Sequence, residues 1–81
     1  MLDPAAGRPL YLQLADLLRD GIESGKYPPR APLPSARALS QVHGVAAGTV
    51  IRAFHLLAAE GLIITVTGRG MWVVPPEERP D

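Results

Sequence analysis

The stretch LPSARALSQVHGVAAGTV, residues 33–50, decides the fold. Ser35 follows a proline and precedes an alanine-rich run, so we expect it to cap a short helix over residues 36–43. Gly44 ends that helix, and a second helical pattern starts a few residues later, at Ala47. Two helices joined by so short a glycine-containing turn predict a helix-turn-helix.

The residues before this stretch predict a longer helix and a connector. Apolar side chains recur at helical spacing over residues 10–24, and Gly25 follows as a terminator. Leu12 falls among the polar residues and is expected to be exposed. The predicted buried face consists of Leu10, Tyr11, Leu14, Leu17, Leu18 and Ile22. Prolines make residues 26–34 an extended connector, with a short edge strand expected near Leu33.

The residues after this stretch predict a third helix and a β-hairpin. The helix covers residues 47–60, and Gly61 stops it. In the second and third helices we expect burial of Leu39, Val42, Val50, Ala53, Phe54 and Leu57. Apolar runs at 62–66 and 71–74 flank the turn TGRG at 67–70. The predicted fold is α+β, mainly α: a winged helix-turn-helix with three helices plus a C-terminal β-hairpin wing. A generic small α+β domain is the alternative.

The length of 81 residues suits one domain. We place it at residues 9–75, between an N-terminal tail over 1–8 and an acidic C-terminal tail or start of a linker over 76–81. No run approaches the ~18 apolar residues of a membrane span, and the N-terminus does not resemble a signal peptide. Together with the absence of cysteine, this favours a reducing cytoplasm.

The residue types argue against an enzyme. Without cysteine there is no thiolate zinc site and no cysteine nucleophile. His43 and His55 have no compact cluster of acids beside them in the sequence, and the serines have no evident His–acid partners. We therefore expect no catalytic site, no metal site and no cofactor.

The charges are unevenly placed along the chain. Eight basic and eight acidic residues give a formal net charge of zero. Residues 1–25 and 70–81 each carry −2, whereas residues 26–69 carry +4. The basic centre contains the helix-turn-helix and the hairpin tip. We therefore expect a focused surface for an anionic partner rather than a uniformly cationic coat.

Three residues on the second and third helices are the first candidates for DNA contact. Arg37 begins a helix, where the dipole disfavours a cation, so a DNA phosphate is its expected partner and solvent the alternative. Arg52 lies on the polar face of the third helix, which would enter the major groove; a solvated charge or a pair with Glu60 is the alternative. Thr49, near the helix start, would bind phosphate or stabilise the helix through its hydroxyl.

Three further candidates share the groove-facing side of the third helix. Gly48 would allow close approach to DNA, and Ile51 would touch a thymine methyl group. His55 would reach a phosphate, with a plain exposed histidine as the alternative.

The hairpin tip supplies the last candidates. Arg69 lies between Gly68 and Gly70, which suits a tip that enters a narrow minor groove. A flexible exposed turn is the alternative.

Several short motifs occur in a fixed order along the chain. They are PLYLQL (9–14), GIESGKYPP (21–29), LPSARAL (33–39), GV (44–45), TV (49–50), AAEGLI (58–63) and GRGMWVV (68–74). With these motifs, residues 9–74 resemble the DNA-binding domain of the GntR family of bacterial transcription regulators. The resemblance implies a three-helix winged domain that binds an inverted-repeat operator as a dimer. It assigns DNA contacts to Arg37, Thr49 and the wing residues 68–70.

The recognition helix departs from the commonest family pattern, Val-Ser-Arg-Thr-Thr-Val-Arg. Residues 45–51 read VAAGTVI, without the capping serine and both arginines. The run RAF at 52–54 looks like the Arg-Ala-Tyr run of the YtrA- and MocR-like branches, where the arginine is displaced by one position. Family members usually carry a C-terminal effector and dimerisation domain, and here only residues 75–81 follow the wing. We expect no effector ligand within this chain, which would be an excised domain or a stand-alone regulator.

The predicted function is sequence-specific binding of double-stranded DNA for transcriptional regulation, with repression at an inverted-repeat operator. The expected partners are the DNA operator and a second copy of the chain, as a homodimer on DNA, with no membrane partner. The expected location is the bacterial cytoplasm, in association with the nucleoid. The alternative function is a winged-helix protein-interaction module without specific DNA binding, which zero net charge and an exposed Leu12 would suit.

Overall fold

Three helices and an antiparallel hairpin follow one another in the computed structural model, which describes residues 2–66, 68 and 70–80. The elements are α1 (Leu10–Ser24), α2 (Ala36–His43), α3 (Ala47–Ala59), β1 (Ile63–Val66) and β2 (Gly70–Val73), followed by a single 3-10 turn over Pro76–Glu78. The predicted fold class is confirmed. Among the described residues, no single helix is long and apolar enough to cross a membrane, and only the sharply bent pair α2 and α3 meets the length and composition requirement together.

The helices begin and end where the sequence predicts. The hydroxyl of Ser35 accepts a hydrogen bond from the amide of Ala38 at 3.0 Å, which caps α2. Gly25 and Gly44 follow α1 and α2 with φ values of 89° and 66°. Glycine enters this left-handed region without the penalty that a Cβ imposes, so both helices stop there.

The core lies between α1 and α3, and α2 and the hairpin close it. Its buried side chains are Leu14, Ala15, Leu18, Ile22, Leu33, Leu39, Val50, Ala53, Phe54, Leu57, Ile63 and Val73. Some expectations of burial are wrong. Leu12 is half-buried rather than exposed, Leu10 and Tyr11 are half-buried rather than buried, and Val42 and Leu17 are 75% and 38% exposed. Helix α2 is only two turns long, and its buried residue is Leu39.

The hairpin adds one layer to the helices. β1 pairs with β2 in an antiparallel register that sets Ile63 opposite Val73 and Val66 opposite Gly70. Ile63 and Val73 are both buried and face the helical core. The alternation of inward and outward side chains along a strand leaves the partners of the next pair, Ile64 and Trp72, on the outer face.

The connector between α1 and α2 lies beside the hairpin. Pro32 forms an isolated antiparallel bridge with Trp72, and the amide of Leu33 donates to the carbonyl of Met71 at 2.8 Å. The edge strand expected near Leu33 is thus confirmed as a single bridge. Proline has no amide to donate, and its place at the edge of the sheet is consistent with that.

The N-terminal segment folds back on the first turns of α1. The amide of Asp3 donates to the side-chain carbonyl of Gln13 at 2.8 Å, and the Gln13 amide group donates to the carbonyls of Asp3 and Arg8. The Arg8 guanidinium lies 3.1 Å from the carboxylate of Asp16. The segment is therefore a packed part of the domain.

The C-terminal residues 76–80, expected to be part of an acidic tail or the start of a linker, contact the rest of the domain. Glu78 forms an ion pair with Arg30 in the connector. The Arg79 side chain turns back and donates to the carbonyl of Val74 at 3.0 Å. Of the acidic residues that suggested a tail, Glu78 is used for an internal contact.

Candidate nucleic-acid interface

The turn between α2 and α3 has a defined geometry. The chain bends by 118° between the two helices, within the range that helix-turn-helix motifs adopt. Ser40 holds the turn through two hydrogen bonds to one residue. Its carbonyl accepts from the amide of Val45 at 3.1 Å, and its hydroxyl donates to the carbonyl of Val45. The direction of α3 is therefore fixed relative to α2.

Helix α3 has one face in the core and one face in solvent. The buried face consists of Val50, Ala53, Phe54 and Leu57. The exposed face carries four of the predicted contact residues: Gly48, Ile51, Arg52 and His55. Residues at these spacings are neighbours on a helix surface. Ile51 is 44% exposed, so its side chain is accessible to a partner on this face. Thr49 is half-buried.

The N-terminus of α3 is open. The residue at the cap position is Ala46, which forms no side-chain hydrogen bond to the first turn. The amide of Thr49 donates to the backbone carbonyl of Ala46 at 3.0 Å. A usual cap residue would also accept a hydrogen bond from a first-turn amide through its side chain, and alanine has no group that can do so. A Cβ built on Gly48 meets no atom within 4 Å. An external acceptor can therefore approach the backbone at this end of the helix.

The arginines divide into two groups by their partners. Arg8, Arg19 and Arg30 each form an ion pair with a carboxylate. By contrast, Arg37 and Arg52 are exposed and take part in no ion pair within residues 2–66, 68 and 70–80. Both lie on the helix-turn-helix. Arg79 also forms no ion pair among these residues, but its side chain is held by the carbonyl of Val74. Arg37 and Arg52 are thus the exposed arginines of the described ranges that take part in no ion pair.

The alternative pairing of Arg52 with Glu60 is wrong. Glu60 instead accepts two hydrogen bonds from Arg19, at 2.9 and 2.7 Å, which joins the end of α3 to α1. Arg52 packs on an aromatic ring: its guanidinium carbon lies 4.0 Å from the centroid of the Tyr11 ring. This distance is within the range of a cation–π contact.

Asp16 and Arg19 on α1 form ion pairs with each other and with residues outside this helix. Arg19 donates to Asp16 at 2.8 Å, and Arg8 donates to the same carboxylate. Although its partial burial acts in the opposite direction, the hydrogen bonds from Arg19 and Arg8 lower the pKa of Asp16. The hydrogen bond to Glu60 raises the pKa of Arg19 further above its already high value. These carboxylates therefore serve the internal framework.

The remaining candidates lie on α2 and on the wing. Arg37 is exposed in the first turn of α2, next to the Ser35 cap. Gly70 begins β2, is exposed, and would have open space around an added Cβ. Arg69 lies outside the described residues, so its expected entry into the minor groove stays a prediction.

Sequence reasoning missed the role of Tyr11. It assigned this residue to the buried face of α1, but Tyr11 is half-buried, with its ring beneath Arg52. Helical periodicity shows which residues of one helix share a face, and it does not show which residue of another helix they meet. No signal in a single sequence would have found this contact. No group of three or more His, Asp or Glu residues in the described ranges could hold a metal ion.

The fold and this interface define a winged helix-turn-helix DNA-binding domain. The chain belongs to the gntR family of bacterial regulatory proteins, because the family's model matches residues 10–73. It carries the DNA-binding domain of a transcriptional regulator of this family.

Individual relatives agree with this assignment. The chain is 36% identical over 69 residues to the transcriptional repressor NagR of Bacillus subtilis, a match that covers 85% of the chain and 28% of NagR. It is similar to the structure of YtrA from Sulfolobus acidocaldarius, with a TM-score of 0.84, 35% identity, and coverage of 93% of this chain and 79% of that one. It is also similar to the AraR DNA-binding domain in complex with operator ORX1, with a TM-score of 0.83, 29% identity, and coverage of 91% and 92%. The chain spans 28% to 53% of the length of three curated relatives, NagR among them.

Proposed function

We propose that the chain binds a specific double-stranded DNA sequence and represses transcription there. The observation that carries the proposal is the distribution of arginine partners. Arg37 and Arg52 are exposed on the helix-turn-helix and form no ion pair within the described ranges. Cations that lack an internal anion suit a surface for phosphates and base edges. The name of NagR, a repressor, and the operator bound to the AraR domain support the same function.

The proposed contacts follow the faces of α2, α3 and the hairpin. Arg52 and Ile51 would read bases in the major groove, while Thr49, His55 and the amides near Gly48 would bind phosphates or lie close to the backbone. Arg37 would fix the register on a phosphate. In the wing, Arg69 and Gly70 would lie along the minor groove.

The proposed assembly is a homodimer on an inverted-repeat operator, with residues 9–75 of each copy as the DNA-binding unit. Two-fold symmetry of the protein would then match the symmetry of the operator. We place the protein in the bacterial cytoplasm, on the nucleoid. Any effector would bind outside this chain.

The test is a selection of bound sequences from a random duplex library, at low salt, followed by mass measurement of the complex in solution. We expect enrichment of a sequence with two half-sites and a mass of two chains per duplex. Recovery of no preferred sequence would contradict the proposal, and a single half-site with one chain would contradict the dimer.

Variants on the selected duplex test the individual contacts. Because a bidentate arginine–guanine pair contributes about 1–3 kcal/mol, Arg52→Ala should weaken binding by about 5- to 150-fold and relax the preference at one base pair. Arg69→Ala should weaken binding to sites with a narrow minor groove. Arg30→Gln is the matched control, since Glu78 already neutralises that arginine. Unchanged affinity in both test variants would overturn this binding mode.

The structure weakens the alternative of a protein-interaction module. One of its two supports was an exposed Leu12, which is half-buried. The other, zero net charge, describes the whole chain, although the charges of the helix-turn-helix are basic.

A further inference from the structure

We propose that Tyr11 of α1 is a positioning residue for DNA recognition, because its ring holds the guanidinium group of Arg52 in place before DNA arrives. The inference rests on the proposed function, in which Arg52 contacts DNA. It adds that part of the sequence specificity of α3 is set by a residue of another helix.

The contact itself lies within cation–π distance. The Arg52 guanidinium carbon lies over the Tyr11 ring, 4.0 Å from its centroid. An arginine stacked through its planar face keeps the N–H groups at its edge available for hydrogen bonds. These in-plane donors are the ones that pair with two acceptors of a guanine. The Tyr11 contact therefore orders Arg52 without using its hydrogen-bonding groups.

Tyr11 is itself firmly held. It is half-buried, and the residues one turn further along α1, Leu14 and Ala15, are both completely buried. Helix α1 packs against α3 in the centre of the core. The ring is therefore carried on a rigid support, so its position relative to α3 is set by the fold.

Arg52 has an open side on its own helix and no ion-pair partner there. The residue one turn before it is Gly48, which has no side chain, and Arg52 forms no ion pair in the described part of the chain. Arginine has much rotational freedom to lose when it binds. A guanidinium already held on a ring loses less of that freedom on binding, and the same ring limits which base edges it can reach.

The test is a double-mutant cycle on the selected operator duplex and on its single-base-pair variants. The proteins are the wild-type chain, Tyr11→Leu, Arg52→Ala and the double variant, with Tyr11→Phe as the control that keeps the ring. From the cost of ordering one flexible side chain on binding, Tyr11→Leu should weaken binding by about 2- to 12-fold and flatten the preference at the base pair that Arg52 reads. Tyr11→Phe should stay within about 2-fold of the wild type. In the Arg52→Ala background, Tyr11→Leu should have little further effect.

A measurement without DNA keeps the test independent of affinity. In the free protein, the side-chain protons of Arg52 should show an upfield ring-current shift that Tyr11→Phe preserves and Tyr11→Leu removes, while thermal unfolding shows that both variants fold. Absence of the shift in the folded wild-type protein would overturn the contact.

The outcomes separate the two proposals. If Arg52→Ala weakens binding and folded Tyr11→Leu does not, the positioning role is wrong and the proposed function stands. Equal losses from Tyr11→Leu with and without Arg52 would also overturn the positioning role, because Tyr11 would then act by another route. If the wild-type chain selects no sequence, both proposals fail.

Discussion

Gly48 is an exposed glycine that the packing of the domain does not require. It lies in the first turn of α3, and an added Cβ would meet no atom within 4 Å. Gly21 is a contrasting case: it is buried in α1, and a Cβ there would lie 2.5 Å from the ring of Tyr27. A Cβ at position 21 would therefore displace the Tyr27 ring, whereas one at position 48 would displace no atom.

The Gly48→Ala variant separates stability from binding. Because alanine is the better helix former, we expect the free energy of unfolding to rise by about 0.5–1 kcal/mol. If the helix backbone approaches DNA closely, the same methyl group should weaken operator binding by about 10-fold or more. Urea unfolding and duplex titration on the same preparation measure both effects. A more stable variant with unchanged affinity would show that DNA does not approach this residue closely.

At the scale of the elements, the turn of the helix-turn-helix depends on hydrogen bonds that neither helix provides alone. Ser40 lies on α2 and bonds with both its carbonyl and its hydroxyl to Val45, beyond the end of the helix. The ion pair of Arg19 with Glu60 joins α1 to the end of α3 in a similar way. Short polar contacts between elements therefore set the orientation of α3.

Ser40→Ala should loosen the turn. Loss of the hydroxyl removes one hydrogen bond to a half-buried segment, so we expect the free energy of unfolding to fall by about 0.5–1.5 kcal/mol. Binding to the operator should weaken as well, because the angle of α3 is less tightly held. Gln41→Ala, at an exposed position of the same helix, is the control and should change neither quantity. Equal behaviour of the two variants would show that the Ser40 hydroxyl does not hold the turn.

The ion pairs of Asp16 predict a dependence of stability on pH. The folded protein lowers the pKa of this carboxyl group, so its stabilising contribution is present above the unfolded value of about 3.9 and is lost as the pH falls through the folded pKa. Asp16→Asn should therefore cost about 0.2–1 kcal/mol near neutral pH, with less difference from the wild type below about pH 4. Urea unfolding across this pH range measures the difference in the free energy of unfolding between the variant and the wild type. Asp20→Asn is a matched control on α1, and an equal pH dependence in both variants would contradict the assignment.

At the scale of the whole molecule, the zero net charge is the sum of charges that are paired inside the domain and charges that are not. One acidic residue near each end is paired with an arginine, Asp16 with Arg8 and Glu78 with Arg30. The C-terminal segment also packs against the turn after α3, where Pro80 occupies the space that a Cβ on Gly61 would need. The ends of the chain thus neutralise and hold the framework, and the arginines of the helix-turn-helix stay available.

This distribution of paired and unpaired charges predicts a shallow salt dependence of DNA binding. With few available cations, the slope of log affinity against log salt should be roughly −3 to −5 per chain. Arg37→Ala should reduce the magnitude of the slope by about 1, with a similar loss on every sequence, because a phosphate contact carries no base preference. Arg30→Gln should leave the slope unchanged, since Glu78 already neutralises that arginine. A slope that is steep in the wild type, or equally reduced in both variants, would contradict this distribution.

Local patterns in the sequence determined the order of the elements, their ends and the exposed face of α3. Caps such as Ser35 and terminators such as Gly44 act through the chain within a few residues, so the sequence shows them directly. Only the tertiary structure decided that Val42 is exposed and that residues 76–80 pack against the domain. It alone brought Tyr11 under Arg52, which lies on another helix. Such contacts join residues far apart in the chain, and their partners depend on how the helices pack rather than on the periodicity within each one.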